Sequence, residues 1–211
     1  WMKRKGILIV VSGFSGAGKG TLMKELLKRY DNYALSVSMT TRAPREGEVD
    51  GESYFFVDKE TFERTIEEDG LIEYASYCGN YYGTPRKYVE KCLQDGRDVI
   101  LEIEIQGALK VKEKFPEALL LFVMPPSAAE LKRRLEGRGT ESPEVIRERL
   151  VRASEEAEGI ENYEYLIIND DLDECVREMN DIINAARRNP VRNRHLIADM
   201  RSELDAVVKG E

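Results

Sequence analysis

The stretch ILIVVSGFSGAGKGT, from Ile7 to Thr21, constrains this 211-residue chain more than any other. A run of β-branched residues marks a strand buried on both faces, and it passes directly into LMKELLKRY, whose apolar positions recur at helical spacing. Three glycines, Gly13, Gly16 and Gly18, crowd the junction. Lacking a β-carbon, they let successive backbone N–H groups converge on one point, where the positive end of a helix dipole also lies. Such a turn holds anions, phosphate above all. Lys19 follows at the helix start and supplies a mobile positive charge.

The offset from Gly13 to Gly18-Lys19 fits the P-loop pattern, in which main-chain amides cradle phosphates and the lysine reaches the terminal ones. A glycine turn with a purely structural purpose would leave a lysine at that offset without a reason. The general pattern continues with Ser or Thr for magnesium; here Gly20 occupies that place and Thr21 comes one position later.

Further apolar runs, DVILEI, ALLLFV and YLIIN, are separated by helix-like patterns, the layout of parallel strands joined by crossover helices. The expected fold class is α/β, with a three-layer parallel-sheet core. Two segments break the alternation: 38–96, rich in tyrosine and turn signals, and the charged stretch 127–158. Both read as insertions into a core made of 1–37, 97–126 and 159–190. From about Arg187 the chain turns polar and Pro190 interrupts helix, so 191–211 is expected to form an accessory C-terminal helix. Thr84-Pro85 and Ser142-Pro143 each read as a capping side chain followed by proline at the first helical position. Asp170 or Asp171 reads as the cap of a later helix.

With 42% apolar and 34% charged residues, the balance is that of a soluble domain able to bury a sizeable core. The formal net charge of -8 argues against a general nucleic-acid-binding surface, so no nucleic-acid partner is expected and any basic site must be local. The longest apolar stretches, such as ALLLFVM, are too short to span a bilayer, and no signal sequence opens the chain. The expectation is a cytoplasmic protein without a membrane partner. Trp1 stands ahead of Met2 and reads as a remnant preceding the natural start. Cys78, Cys92 and Cys175 are widely spaced and odd in number, the pattern of buried free thiols rather than metal ligands. His195, the sole histidine, sits in the polar tail and reads as part of a solvated helix face, which nearly excludes histidine chemistry.

GKGT is similar to the phosphate loop of nucleoside monophosphate kinases, and SVSMTTRAPREGEVDGESYFFV followed by GNYYGT resembles the nucleotide-acceptor domain of the guanylate kinase family. The resemblance covers essentially residues 6 to 186. It implies a small mixed-β acceptor domain at 38–96, a helical lid at 127–158, and the reaction ATP + GMP to ADP + GDP in purine nucleotide metabolism, with dGMP as a further acceptor. By this resemblance Gly13, Phe14, Ser15, Gly16, Ala17, Gly18, Lys19, Gly20 and Thr21 bind ATP, with Asn169 near adenine. Arg42, Arg45, Tyr54 and Tyr82 hold the GMP phosphate, while Ser38, Glu73 and Thr84 meet the base. The chemistry suits those roles: guanidinium forks match phosphate oxygens, and an ionised carboxylate accepts from both N1–H and N2–H of guanine, where adenine offers an acceptor at N1.

Glu102 and Glu104 stand two apart at the end of a predicted strand, where alternation turns both to one face. The resemblance gives Glu102 a part in organising hydrated magnesium or the acceptor, and Glu104 an approach to the guanine amino group; related kinases mostly carry Asp at the latter position. Arg134 and Arg138, four apart on one helical face, and Arg149 on the next helix resemble the arginines of the family's lid. With Lys19 they are the expected catalytic residues. Arg133, Arg147 and Arg152 read instead as surface partners of nearby glutamates. Magnesium is the expected cofactor, held mainly by phosphates and water near Thr21 and Glu102, with no direct set of protein ligands. The protein is expected to be a monomer or homodimer. A kinase acting on AMP or a pyrimidine nucleotide would share GAGKGT but lack the block from Arg42 to Tyr54. A non-catalytic peptide-binding relative would keep the acceptor domain with a degraded phosphate loop, and the loop here is intact.

Overall fold

The computed structural model describes residues 5–77, 79–137 and 142–210. The chain opens with β1 (Leu8–Gly13), α1 (Lys19–Arg29) and β2 (Tyr33–Leu35). It continues through β3 (Met39–Thr40), β4 (Phe55–Phe56), α2 (Lys59–Glu67), β5 (Leu71–Tyr77), β6 (Asn80–Pro85) and α3 (Arg86–Gln94). Next come β7 (Asp98–Glu102), α4 (Ile105–Lys114), β8 (Leu119–Met124), α5 (Ala128–Glu136) and α6 (Pro143–Ala157). The last elements are β9 (Tyr165–Ile168), α7 (Leu172–Ala186) and α8 (Arg194–Lys209).

Five strands form one parallel sheet in the order β2-β7-β1-β8-β9. The three inner strands are covered on both faces, which is why Ile9 to Val11, Val99 to Leu101 and Leu119 to Val123 are continuous apolar runs with no measurable exposure. The fifth strand, β2, escapes the sequence pattern because three residues at a sheet edge are too few to display a period. Parallel strands joined by crossovers all end on one edge of the sheet. That edge carries Gly13 at the end of β1, Glu102 at the end of β7 and Asn169 just past β9, and it is where ligands bind in open α/β sheets.

A second, four-stranded sheet has the order β4-β3-β6-β5, with β3 and β4 parallel and the other pairings antiparallel. It lies within 38–96 and is mixed in direction. Phe62 of α2 is fully buried and stacks on Tyr81 of β6 at 5.1 Å, closing one face of this sheet. Helix α4 packs against both β1 and β5 and so fixes the second sheet beside the phosphate loop.

Helix starts follow local chemistry with one correction. Ser142 accepts from the Val145 N–H with Pro143 in the first turn, and Asp171 accepts from the Glu174 N–H at 2.9 Å. Thr84 does not cap α3: Pro85 is the N-cap, and the Thr84 hydroxyl donates to Glu73 at 2.7 Å. A buried carboxylate needs a donor, and that tertiary demand outweighs a local cap. Asp98, also buried, accepts from the Ile7 N–H at 3.0 Å and from Asn32 at 2.9 Å and pairs with Arg187, tying the end of α7 to the start of β7.

Beyond Ala186 a short 3-10 turn over Pro190–Asn193 is pinned by Arg192, which donates to the Glu117 carbonyl at 2.8 Å and to Glu164 at 3.0 Å. Helix α8 then buries none of its residues, and His195 is exposed on it. Cys92 and Cys175 are buried free thiols, and burial pushes the Cys175 thiol up to about 11; Cys78 lies outside the described residues. Among the described residues no helix is long and apolar enough to cross a membrane.

Candidate active site

The glycine turn is shaped by close approach as much as by backbone freedom. A β-carbon on Gly13 would stand 2.1 Å from the Val123 carbonyl oxygen, so nothing larger fits between β1 and β8 there. Gly18 is left-handed at φ 87° and forms the N-cap of α1, a conformation that costs other residues about 1–2 kcal/mol. The Lys19 ammonium folds back over the turn, donating to the carbonyls of Gly13 at 2.7 Å and Phe14 at 3.2 Å. The Phe14 ring packs edge-on against Phe122 at 5.0 Å, which leaves its main chain to serve the loop. Gly20 and Thr21 are exposed in the first turn of α1. Asn169 is buried and its amide donates to the Ala17 carbonyl at 2.8 Å, bracing the loop from the end of β9.

A cleft of about 800 Å³ opens beside this turn. Gly13, Ser15 and Lys19 line it from the loop, and Ser38 and Tyr54 line it from the side of the second sheet. Glu102, Glu104, Glu148, Arg149, Arg152 and Glu156 complete the charged part of its wall. The Arg149 guanidinium donates to the Ser15 hydroxyl at 2.9 Å, so α6 reaches the phosphate loop directly. Glu102 opens onto the cleft but is enclosed by its walls, and that desolvation raises its pKa, with Lys19 pulling the other way.

A second cationic group lies by the second sheet. Arg42 lies over the Tyr54 ring at 5.3 Å and the Phe56 ring at 5.8 Å, and the Tyr54 and Tyr82 rings meet at 6.1 Å. Glu48 accepts from both ends of the Arg42 fork, at 2.8 and 2.9 Å, and from the Arg45 N–H at 2.7 Å. Those bonds hold the Glu48 carboxyl down at about 2. Glu48 and Tyr82 together raise the pKa of Arg42 and keep it charged. Glu73 is buried in the second sheet; burial raises its pKa, and the Thr84 hydrogen bond with the charges of Lys110 and Lys114 opposes the shift.

The structure thus gathers Ser38, Tyr54, Glu102, Glu104, Lys19 and Arg149 around one cleft, with Arg42 and Tyr82 adjoining Tyr54. Glu104 is not part of β7; it stands at the N-cap of α4 and still lines the cleft. Arg134 is held by Glu130 at 2.6 Å and by the Asn169 carbonyl at 2.9 Å, on the far side of the loop's brace. Arg45 contributes its main chain to the Glu48 hub and is exposed. Arg138 lies outside the described residues. Arg133 pairs with Glu130 on the surface as expected, whereas Arg152 pairs with glutamates inside the cleft. Sequence reading passed over Glu48 and Glu156. The signal for Glu48 was a carboxylate six positions after Arg42 within a tight basic loop; Glu156 gave none beyond its place on a charged helix.

A cleft with Lys19 and Arg149 on one side and Ser38 and Tyr54 on the other, Arg42 lying over the Tyr54 ring, suits the passage of a phosphoryl group between two phosphates, and the fold with its loop places the molecule among the P-loop phosphotransferases. The guanylate kinase family profile matches residues 5–186. A curated guanylate kinase of Caldanaerobacter subterraneus subsp. tengcongensis is 50% identical over 202 residues, 96% of this chain and 98% of that protein. One of Halalkalibacterium halodurans is 53% identical over 183 residues, 87% of this chain and 90% of that protein. The crystal structure of guanylate kinase from Anaplasma phagocytophilum superposes with a TM-score of 0.71 at 36% identity, covering 91% of this chain and 92% of that one. The chain belongs to the guanylate kinase family.

Proposed function

We propose that the chain transfers the γ-phosphoryl group of ATP to GMP, giving ADP and GDP. One observation carries the reading beyond family membership: Lys19 and Arg149 share a cleft with Ser38 and Tyr54, so donor-side cations face acceptor-side hydroxyls. In this reading 1–37, 97–126 and 159–190 are the core, 38–96 binds GMP, 127–158 is the lid and 191–211 is an accessory helix. Residues Gly13 to Thr21 take the ATP phosphates and Asn169 lies near adenine. Arg42, Arg45, Tyr54 and Tyr82 take the phosphate of GMP. Ser38, Glu73, Thr84, Glu102 and Glu104 serve its base and the reacting edge. The contacts invoked go to base and phosphate, so dGMP should also be an acceptor.

No side-chain nucleophile is required. A phosphate monoester has a second pKa of about 6, so the acceptor is largely ionised at neutral pH and attacks in line. The work left to the protein is alignment and neutralisation of charge on the transferred group, assigned here to Lys19, Arg134, Arg138 and Arg149. Closing the helical lid excludes water, which would otherwise hydrolyse ATP. Magnesium fits the residues present: Thr21 is exposed in the first turn of α1 and Glu102 lines the cleft, so both would lie beside an ion whose ligands are phosphate oxygens and water. Bound with ATP, it would neutralise charge on the phosphates. We place the protein in the cytoplasm, acting as a monomer or homodimer.

A coupled assay with ATP and each of GMP, AMP, dUMP and UMP tests the reading. GMP is expected to exceed AMP in kcat/KM by about 10⁴ or more, because a buried carboxylate facing an acceptor is left unpaired. Equal rates with GMP and AMP would overturn the base-recognition assignment.

A further inference from the structure

Arg152 faces the cleft, and its Nη2 stands 2.7 Å from Oε1 of Glu104, while its Nε donates to Oε1 of Glu156 at 3.1 Å, one turn further along α6. Arg149, three residues earlier and therefore on the same face of α6, reaches Ser15 of the phosphate loop. Besides packing on α5 and the core, helix α6 thus reaches the wall of the cleft through two arginines, one on the donor half and one on the acceptor half. A shift of the helix as a body changes both contacts together.

We propose that Arg152 is a positioning residue that couples occupation of the acceptor site to the seating of α6 over the donor phosphates. The inference rests on the reading of the cleft as an ATP–GMP site and adds a link between its halves. Glu104 offers two carboxylate oxygens. Arg152 engages Oε1, which leaves Oε2 to accept from the amino group of an acceptor base. A base that orders Glu104 therefore favours the seated helix, and the seated helix presents Arg149 to Ser15. Linkage makes the effect reciprocal: a bound ATP that seats α6 favours the Glu104 orientation that the acceptor uses. The side chains of Arg152 and Glu104 are 44% and 71% exposed, so the link has the strength of a partly solvated pair, about two- to fivefold in affinity.

The measurement is the Kd of a non-hydrolysable ATP analogue, by calorimetry, without and with saturating GMP. The wild-type ratio should exceed one. Arg152→Met should lower that ratio by about two- to fivefold, and Arg152→Lys should restore part of it. Glu104→Asp, which keeps the acid but shortens its reach, should lower the ratio similarly, and adding Arg152→Met to it should change nothing further. A purely structural role would instead lower thermal stability or weaken both nucleotides alike, leaving the ratio intact. A wild-type ratio of one, an unchanged ratio in Arg152→Met, or independent effects in the double variant would overturn the link. A wild-type protein that binds the ATP analogue but not GMP would overturn the ATP–GMP reading itself.

Discussion

Replacing Lys19 with alanine should lower kcat by about 10³-fold while GMP binding stays measurable. In the structure the ammonium is folded onto the Gly13 and Phe14 carbonyls, at the mouth of the turn whose amides would hold the β-phosphate. A terminal phosphate arriving there offers a stronger partner than two neutral carbonyls, so the lysine can swing to it with little reorganisation. The charge it meets grows as the γ-phosphoryl group leaves, which makes the contact stronger in the transition state than in the ground state. The loss should therefore appear in kcat, and calorimetry should find GMP affinity little altered because Arg42 and Glu73 lie on other elements. Turnover near the wild-type level in Lys19→Ala would remove the phosphate loop from the mechanism.

Glu73→Gln should cut kcat/KM for GMP by about 10² or more and narrow the preference for GMP over AMP. Gln can still accept from Thr84, but its amide NH₂ then faces the N1–H and N2–H donors of guanine, and one oxygen cannot serve both partners. The same substitution should stabilise the unliganded protein. Burial raises the pKa of Glu73 in the folded state. A carboxyl shifted in that direction stabilises the fold most while it is protonated, below its unfolded pKa of about 4, and loses that contribution as pH rises through its folded value. At pH 7 the variant should melt at a higher temperature than wild type, and the gap should close toward pH 4. A variant that melts lower at pH 7 and keeps full GMP preference would contradict both halves of the assignment.

Much of the fold was legible because buried parallel strands have nothing to alternate with: ILIVV, DVILEI and ALLLFV announce themselves as runs. β2 did not, since three residues at an edge carry no period. The phosphate loop was legible because strand, glycines, lysine and helix are adjacent in sequence. Thr84 misled because a capping position and a ligand-bracing position look alike until the long-range partner, Glu73, is placed. Arg152 misled for a related reason. On α6 it has glutamates within one turn, the usual mark of a solvated face, and only the packing of that helix over the cleft brings Glu104 to it from another element. Glu48 was missed because its role depends on the loop turning back so that one carboxylate spans Arg42 and the Arg45 amide.

The central claim is that two nucleotides meet phosphate to phosphate within a single cleft. Titration with an analogue in which adenosine and guanosine are joined through a five-phosphate bridge tests it most directly. The expected result is one molecule bound per chain, more tightly than either ATP or GMP alone and displaced by both, with the adenosine-to-adenosine analogue much weaker. Displacement by only one nucleotide, or two analogue molecules bound per chain, would mean that the donor and acceptor sites do not face each other.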